Sequence, residues 1–495
     1  MVMGLLDAVD LSQKLSKEDY DASMEALEIN MGQLQRQAHE MNVPITLIFE
    51  GWGAAGKGRL INELLLTLDP RGVKVHSTLA PNPEEFYRPF LWRFWTKIPK
   101  KGRMAIYDRS WYSRFIVEKM DPMMERLPVK KAYDEVNCFE RQLTDDGHII
   151  IKFFLHISRG EQKIRFKKLQ KNPMTAWRVT DYDWKKHAQY DTYQETIEEM
   201  LARTDSEHAP WHVVPSQNWR FAGMTVFETI IDEMGRQLRK REEAKQAPAI
   251  QLKPRSKSLL DSADLSKALT RAQYDRQRKI YQQRLWELEH EVYLRRLSVV
   301  MIYEGWDAAG KGGNIKRLVR RMDPRGYEVI PIAAPNDVEL AHHYLWRFWM
   351  KMPKAGHFAI FDRSWYGRVL VERVEGFAEE NEWKRAYQEI NEMEEMLANH
   401  GALIFKFWVD VDSDEQLKRF KDREKTPAKL WKITDDDWRN REKWGQYREA
   451  VDDMLFHTHT SYAPWTIVES NNKMYARIKA MKTVVKALEK HLITR

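Results

Sequence analysis

A chain of 495 residues has room for two or three domains, and 43% hydrophobic with 31% charged residues is a globular balance, not a disordered or membrane-embedded one. Its one cysteine, Cys138, excludes an internal disulfide framework and a thiolate zinc site and suits a reducing compartment, so the cytoplasm is the expected location. A formal net charge of +8 favours anionic partners: nucleotides, other polyanions, nucleic acid or a membrane surface.

The chain opens MVMGLLDAVDLSQKL, a short apolar stretch with no basic start and with Asp7 and Asp10 inside it, which is a poor secretion signal. No later run approaches the ~18 apolar residues that a membrane span needs. An apolar strand over Ile45 to Phe49 then runs into EGWGAAGKG, Glu50 to Gly58, and a helix. The DPRG turn at Asp69 leads into a short strand, Val73 to His76, and LWRFW from Leu91 reads as a Trp-rich helix. A third strand, Met104 to Tyr107, ends at Asp108, Arg109 and Ser110. A strongly apolar fourth covers Ile149 to Ile157, and a fifth, His212 to Val214, precedes a last helix. Residues 241–258, REEAKQAPAIQLKPRSKS, are charged, contain Pro248 and Pro254 and lack apolar periodicity, so they read as a linker.

The same series then returns. A helix is expected over Tyr281 to Tyr293, a strand over Leu297 to Tyr303, the loop EGWDAAGKG from Glu304 to Gly312, and a helix over Asn314 to Met322. Strands follow over Tyr327 to Ile330, Phe358 to Phe361, Leu403 to Val411 and Thr466 to Val468. Lys57 and Lys311 lie 254 positions apart, and the same offset links DPRG, LWRFW, DRSWY and both Ala-Pro-Trp sequences. A period this long means duplicated domains, 1–240 and 259–495. Apolar strands alternating with long helices predict an α/β fold in each, a parallel sheet covered on both faces.

Gly305 to Gly312 fits G-x-x-x-x-G-K after a strand and before a helix. Its backbone, through Gly305, Ala308, Ala309, Gly310, Gly312 and Gly313, would turn N–H groups onto phosphate oxygens, and Lys311 would hold the phosphoryl being moved. The Ser or Thr that ordinarily ligates Mg²⁺ is here Gly312. Asp307 in the loop and Asp362 at the end of the third strand are the available carboxylates, and they are expected to seat the metal together. Asp362 could instead be a helix cap. Arg363 and Arg368 in DRSWYGR are candidate phosphate clamps. Arg419, Arg423, Lys429 and Lys432 fall in a basic helix and loop suited to a closing lid. A solvated basic helix is the plainer alternative. Asn336 could reach a substrate, and Trp346, Phe348 and Trp349 read as core.

The first copy keeps Lys57, Asp108 and Arg109, enough for an anion. It has Gly53 for Asp307, Arg59 for Gly313, and His156 and Ser158 for Asp410 and Asp412. It is therefore expected to be degenerate and the second copy catalytic.

GWDAAGKG, DPRG, LWRFW, DRSWYGR and KLWKITDDDW together resemble the second polyphosphate kinase family over nearly all of both copies. The resemblance implies thymidylate-kinase-like P-loop domains with a helical lid, DRSWY as the Walker B element, and Mg²⁺-dependent phosphoryl transfer between inorganic polyphosphate and a nucleotide, AMP or ADP. The two-copy form resembles the subgroup that converts AMP to ADP. A homo-oligomer, expected as a dimer, with no nucleic-acid or membrane partner completes the expectation. The alternatives are polyphosphate-dependent phosphorylation of ADP or GDP, an ATP-dependent nucleoside monophosphate kinase, and a P-loop protein that binds nucleic acid or regulates.

Overall fold

A computed structural model describes residues 4–118, 129–243, 250–255, 257–427 and 433–493. Among the described residues the apolar runs form ten strands, five in each of two wholly parallel sheets. The first sheet contains β1 (Ile45–Gly51), β2 (Val73–Ser77), β3 (Met104–Asp108), β4 (Ile149–His156) and β5 (Trp211–Pro215), in spatial order β2-β3-β1-β4-β5. The second contains β6 (Val299–Gly305), β7 (Tyr327–Pro331), β8 (Phe358–Asp362), β9 (Leu403–Asp410) and β10 (Trp465–Glu469), in the matching order β7-β8-β6-β9-β10. The central strands are buried along nearly their whole length, as their Val, Ile and Phe content requires of strands covered on both faces.

The order places β1 and β6 at the centre, where connections leave toward both edges. Ligands of open parallel sheets bind beyond the carboxyl ends of such strands. In the second sheet Tyr303 is level with Asp362 across β6 and β8, so the glycine loop and Asp362 emerge side by side.

Most differences from the predicted elements lie at their ends. The helix before the second loop is Arg271–Leu294, beginning well ahead of Tyr281 because Thr270 and Gln273 form a reciprocal cap there. β6 starts at Val299, not Leu297, because Arg296 takes a left-handed φ of 54° and the Leu297 N–H returns to the Val292 carbonyl. The helix after the loop begins at Lys311, so Lys311, Gly312 and Gly313 form its first turn, and after Leu318 it tightens into a 3₁₀ turn, Val319–Arg321. LWRFW makes only a single turn in each copy, with Trp95 and Trp349 fully buried.

The helix Trp219–Glu243 extends into the segment predicted as linker, while Arg255 pairs with Asp453 at 2.9 Å and Ser258 bonds Asp452. The chain divides into two compact units. The first comprises 1–81, 93–246 and 340–343, and the second 82–92, 247–339 and 344–495. No helix among the described residues is long and apolar enough to cross a membrane.

Candidate active site

Two glycines set the shape of the second loop. Gly305 has φ 150°, and a Cβ there would overlap the Val409 backbone of the neighbouring strand; Gly310 has φ 114° and caps the helix that follows. Ala308 is held at φ 60°, a conformation that costs a non-glycine residue about 1 kcal/mol or more and persists only where the surroundings impose it. Here the surroundings are a set of donors behind the loop. Lys311 Nζ donates to the Gly305 carbonyl at 2.6 Å and the Trp306 carbonyl at 3.3 Å. Gln416 donates to the Asp307 carbonyl, Arg419 to those of Ala308 and Ala309, Ser470 to that of Ala309, and Asn314 to that of Gly310. Every carbonyl from 305 to 310 is thus engaged, and the N–H groups of the first helical turn are left for an anion.

Asp307 and Arg363 meet across this loop. Arg363, itself at φ 67°, donates to Asp307 Oδ1 at 3.0 Å, and Asn440 Nδ2 donates to Asp307 Oδ2 at 3.0 Å. Burial pushes the Asp307 carboxyl up, but Lys311, Arg363 and the Asn440 bond outweigh it and leave it below the ordinary range. Burial, only partly offset by Asp307, lowers the Lys311 ammonium. Asp362 stands on the other side: its Oδ2 lies 3.5 Å from where a Gly312 Cβ would be. It is not the helix cap, because Ser364 caps the turn Trp365–Val369 by accepting from Tyr366 N–H. The Ser364 hydroxyl also donates to Glu304 Oε1 at 2.8 Å, which ties the DRSWY strand end to the start of the glycine loop.

These residues suit a magnesium ion. Two carboxylates flank the phosphate cradle, one held ionised, and Mg²⁺ is ordinarily bound by one or two carboxylates with phosphate oxygens and water. Among the described residues no cluster of three His, Cys, Asp or Glu offers an all-protein cage.

Several predicted roles change. Arg419 is buried, and its five donors go to Glu415 and to the Ala308, Ala309, Ser470 and Asn471 carbonyls. It braces the loop from behind and has no donor left for a phosphate. Arg368 pairs with Glu372 at 3.0 Å and with Glu382, and stacks 4.6 Å from the Tyr344 ring, so it is packed, not presented as a clamp. Arg423 lies on the helix Ser413–Glu424, close enough to Asp437 to stabilise its carboxylate. Lys429 and Lys432 lie outside the described residues. Asn336 caps the turn Asp337–Leu340 by accepting from Val338 and Glu339 N–H.

The aromatic residues of DRSWY are anchors. Trp365 and Tyr366 donate to Glu394 Oε1, and Lys406 Nζ reaches Glu394 Oε2 at 2.7 Å, Tyr366 Oη at 2.9 Å and the Thr458 carbonyl at 2.6 Å, all fully buried. Neither this network nor Asn440 was visible as local motif, although Asn440 differs between the copies just where Asp307 does.

The first unit repeats the cradle. Ala54 has φ 61° and Gly56 φ 113°, Lys57 donates to the Gly51 and Trp52 carbonyls, and Arg165 holds those of Ala54 and Ala55. Two differences expected to weaken a metal site have another role. Asp410 accepts from the Trp306 and Trp408 indoles as His156 accepts from Trp52, and Asp412 and Ser158 each cap a helix. Gly53 for Asp307 and Lys186 for Asn440 are the differences that alter the charge around Arg109; on the first helical turn Arg59, paired with Glu63 at 3.0 Å, stands for Gly313, and Leu60 for Asn314.

Comparison with known proteins fits this geometry. The model of the polyphosphate kinase 2 family matches residues 14–242 and again 268–495. A polyphosphate:AMP phosphotransferase of Pseudomonas aeruginosa is 40% identical over 98% of this chain and 99% of its own, and one of Pseudomonas syringae pv. tomato is 39% identical over 98% of each. A GDP-polyphosphate phosphotransferase of Pseudomonas aeruginosa is 37% identical over 45% of this chain. A crystal structure of a polyphosphate kinase 2 from Pseudomonas aeruginosa superposes with a TM-score of 0.85 at 39% identity, covering 97% of both chains. With its parallel five-stranded sheet, glycine loop and DRSWY strand end each present twice, this chain belongs to the polyphosphate kinase 2 family.

Proposed function

We propose that the chain transfers the terminal phosphoryl group of inorganic polyphosphate to AMP with Mg²⁺, and that the second repeat, 259–495, does the chemistry. The observation that carries the reading is the set Lys311, Asp307, Asp362 and Arg363 converging on a cradle that offers only donors. Its presence in a two-repeat chain, matching full-length relatives that bear the name polyphosphate:AMP phosphotransferase, favours AMP as acceptor.

In this reading the loop N–H groups and Lys311 hold the terminal phosphoryl, and Arg363 neutralises charge that spreads onto its oxygens. Asp307 and Asp362 would hold the magnesium, which would screen the repulsion between donor and acceptor phosphates. An AMP phosphate oxygen attacks, the bond to the penultimate phosphate of the chain breaks, and polyphosphate shortened by one unit departs. The protein's share is positioning and electrostatic stabilisation.

The test is incubation with Mg²⁺ and long-chain polyphosphate against AMP, GMP, ADP and GDP in turn, and with ATP and AMP without polyphosphate. ADP formed from AMP and polyphosphate is expected. Faster turnover of GDP or ADP would move the chain to the acceptor class of its single-repeat relatives, and turnover only with ATP would make it a nucleoside monophosphate kinase. Lys311→Ala removes turnover. Should Lys57→Ala remove it while Lys311→Ala does not, the working site is in the first unit. Light scattering tests the expected homodimer.

A further inference from the structure

The first unit has Gly53 where the second has its loop aspartate, and shares the loop's left-handed turns, its lysine and the arginine behind it. In the second unit Arg363 is neutralised by Asp307 and Asn440 completes the arrangement. In the first, Gly53 and Lys186 occupy those two positions. One negative charge is gone, one positive charge is added, and the Arg109 guanidinium has no hydrogen bond or ion pair among the described residues, while its backbone N–H donates to the Phe49 carbonyl at 3.0 Å. A cleft of about 90 Å³, open to solvent, is lined by Gly51, Gly53, Arg109 and Lys186, with Lys57 behind the loop. The acids that face it are spoken for: Glu50 accepts from the Ser110 N–H and hydroxyl, and Asp183 from the Thr180 N–H and hydroxyl. Burial and then Arg109 lower the Lys57 ammonium to about 8, and the same two causes lower Lys186, outweighing the opposing pull of Asp108 and Glu50 on Lys57 and of Asp183 on Lys186. Asp108 is the one carboxylate left at the strand end, fewer than the second unit offers a metal.

We propose that this cleft is a non-catalytic site for a linear oligophosphate, inorganic polyphosphate, bound without metal by the loop N–H groups, Lys57, Arg109 and Lys186. A chain with a charge on every phosphate unit meets several cations at once, whereas a nucleotide that travels as its magnesium complex meets a single carboxylate. The choice of inorganic polyphosphate rests on the donor assigned above; the oligophosphate site itself does not.

The test is calorimetric titration of the full-length Lys311→Ala chain with sodium tripolyphosphate in EDTA, so that no metal contributes and the second loop lacks its lysine. Binding is expected to persist, and to weaken at least about tenfold on adding Arg109→Ala and Lys186→Asn, the latter the residue of the second unit. Thermal unfolding of each variant confirms that it is folded. Absence of binding in the Lys311→Ala chain, a change under twofold with the two further substitutions, or displacement of tripolyphosphate by AMP would each overturn the proposal. Turnover of polyphosphate and AMP by the unsubstituted chain is read separately, so either result can fail alone.

Discussion

Asp307 stands between two demands. Burial disfavours its charge, yet Lys311 and Arg363 hold it ionised, and both would be left without their anion if it became an amide. Asp307→Asn keeps the shape of the side chain and its Asn440 contact. It should lower kcat at least about a thousandfold, comparable to the loss of a preorganised charge contact in a transition state, while far-UV dichroism stays unchanged. Retained turnover would remove Asp307 from the site. Glu289 shows the opposite case. It is buried at 6% exposure, accepts from Asp323 N–H, and burial raises its carboxyl to about 7. A carboxyl raised in the folded state holds its proton more tightly there, so its stabilisation is complete below the unfolded value near 4.5 and is lost as pH rises to about 7. The first repeat has Gln35 at this position, accepting from Asp69 N–H and donating to the Asp69 carbonyl. Glu289→Gln should therefore raise Tm by a few degrees at pH 8, about 1–2 kcal/mol, and change little at pH 5. Equal shifts at both pH values would reject the cause given.

At the scale of elements, two supports decide how the site is presented. The helix Asp435–Glu442 carries Asn440, whose carbonyl accepts from Tyr447, so its amide is turned toward Asp307; Tyr447 and Lys443 in turn bind Glu375. Asn440→Ala should lower kcat/KM about tenfold, near 1.4 kcal/mol, with Tm unaffected. An unchanged kcat/KM would reduce Asn440 to surface packing. The second support is the buried Lys406–Glu394 pair beneath Trp365 and Tyr366. Removing one partner of a buried pair leaves the other charge uncompensated, so Lys406→Met should cost about 3–5 kcal/mol, read as a fall in Tm. Strands, loops and the residues on them were legible because alternating apolar runs and glycine spacing are local properties. Asn440 was not, because it lies 133 positions from Asp307 and is brought there only by the helical turns after β9. Arg419 was legible as an arginine near phosphate, but its direction depends on carbonyls contributed by the end of β10, which no sequence spacing encodes.

Across the whole molecule the repeats act as a comparison built into one chain. They share topology, loop shape and brace, and differ around the loop in Gly53 and Lys186 and, on the first helical turn, in Arg59 and Leu60 for Gly313 and Asn314. If Gly53 and Lys186 alone account for the loss of chemistry proposed for the first unit, Gly53→Asp with Lys186→Asn in a Lys311→Ala background should restore polyphosphate-dependent turnover at least about tenfold above the Lys311→Ala level. The added Asp Cβ would lie 3.2 Å from Phe166 Cζ, so a small ring shift accompanies it. No gain in a folded variant would mean that the first unit differs in more than these positions.

The loop whose carbonyls are all tied down has a bearing on selectivity. Its backbone faces a ligand with hydrogens alone, so what it receives are the unprotonated oxygens of an oxyanion. Such a backbone does not read which atom sits at the centre of a tetrahedral oxyanion, and sulfate would be received there as well as phosphate. Telling a polymer end from a stray ion then falls to what lies along the chain beyond the first tetrahedron.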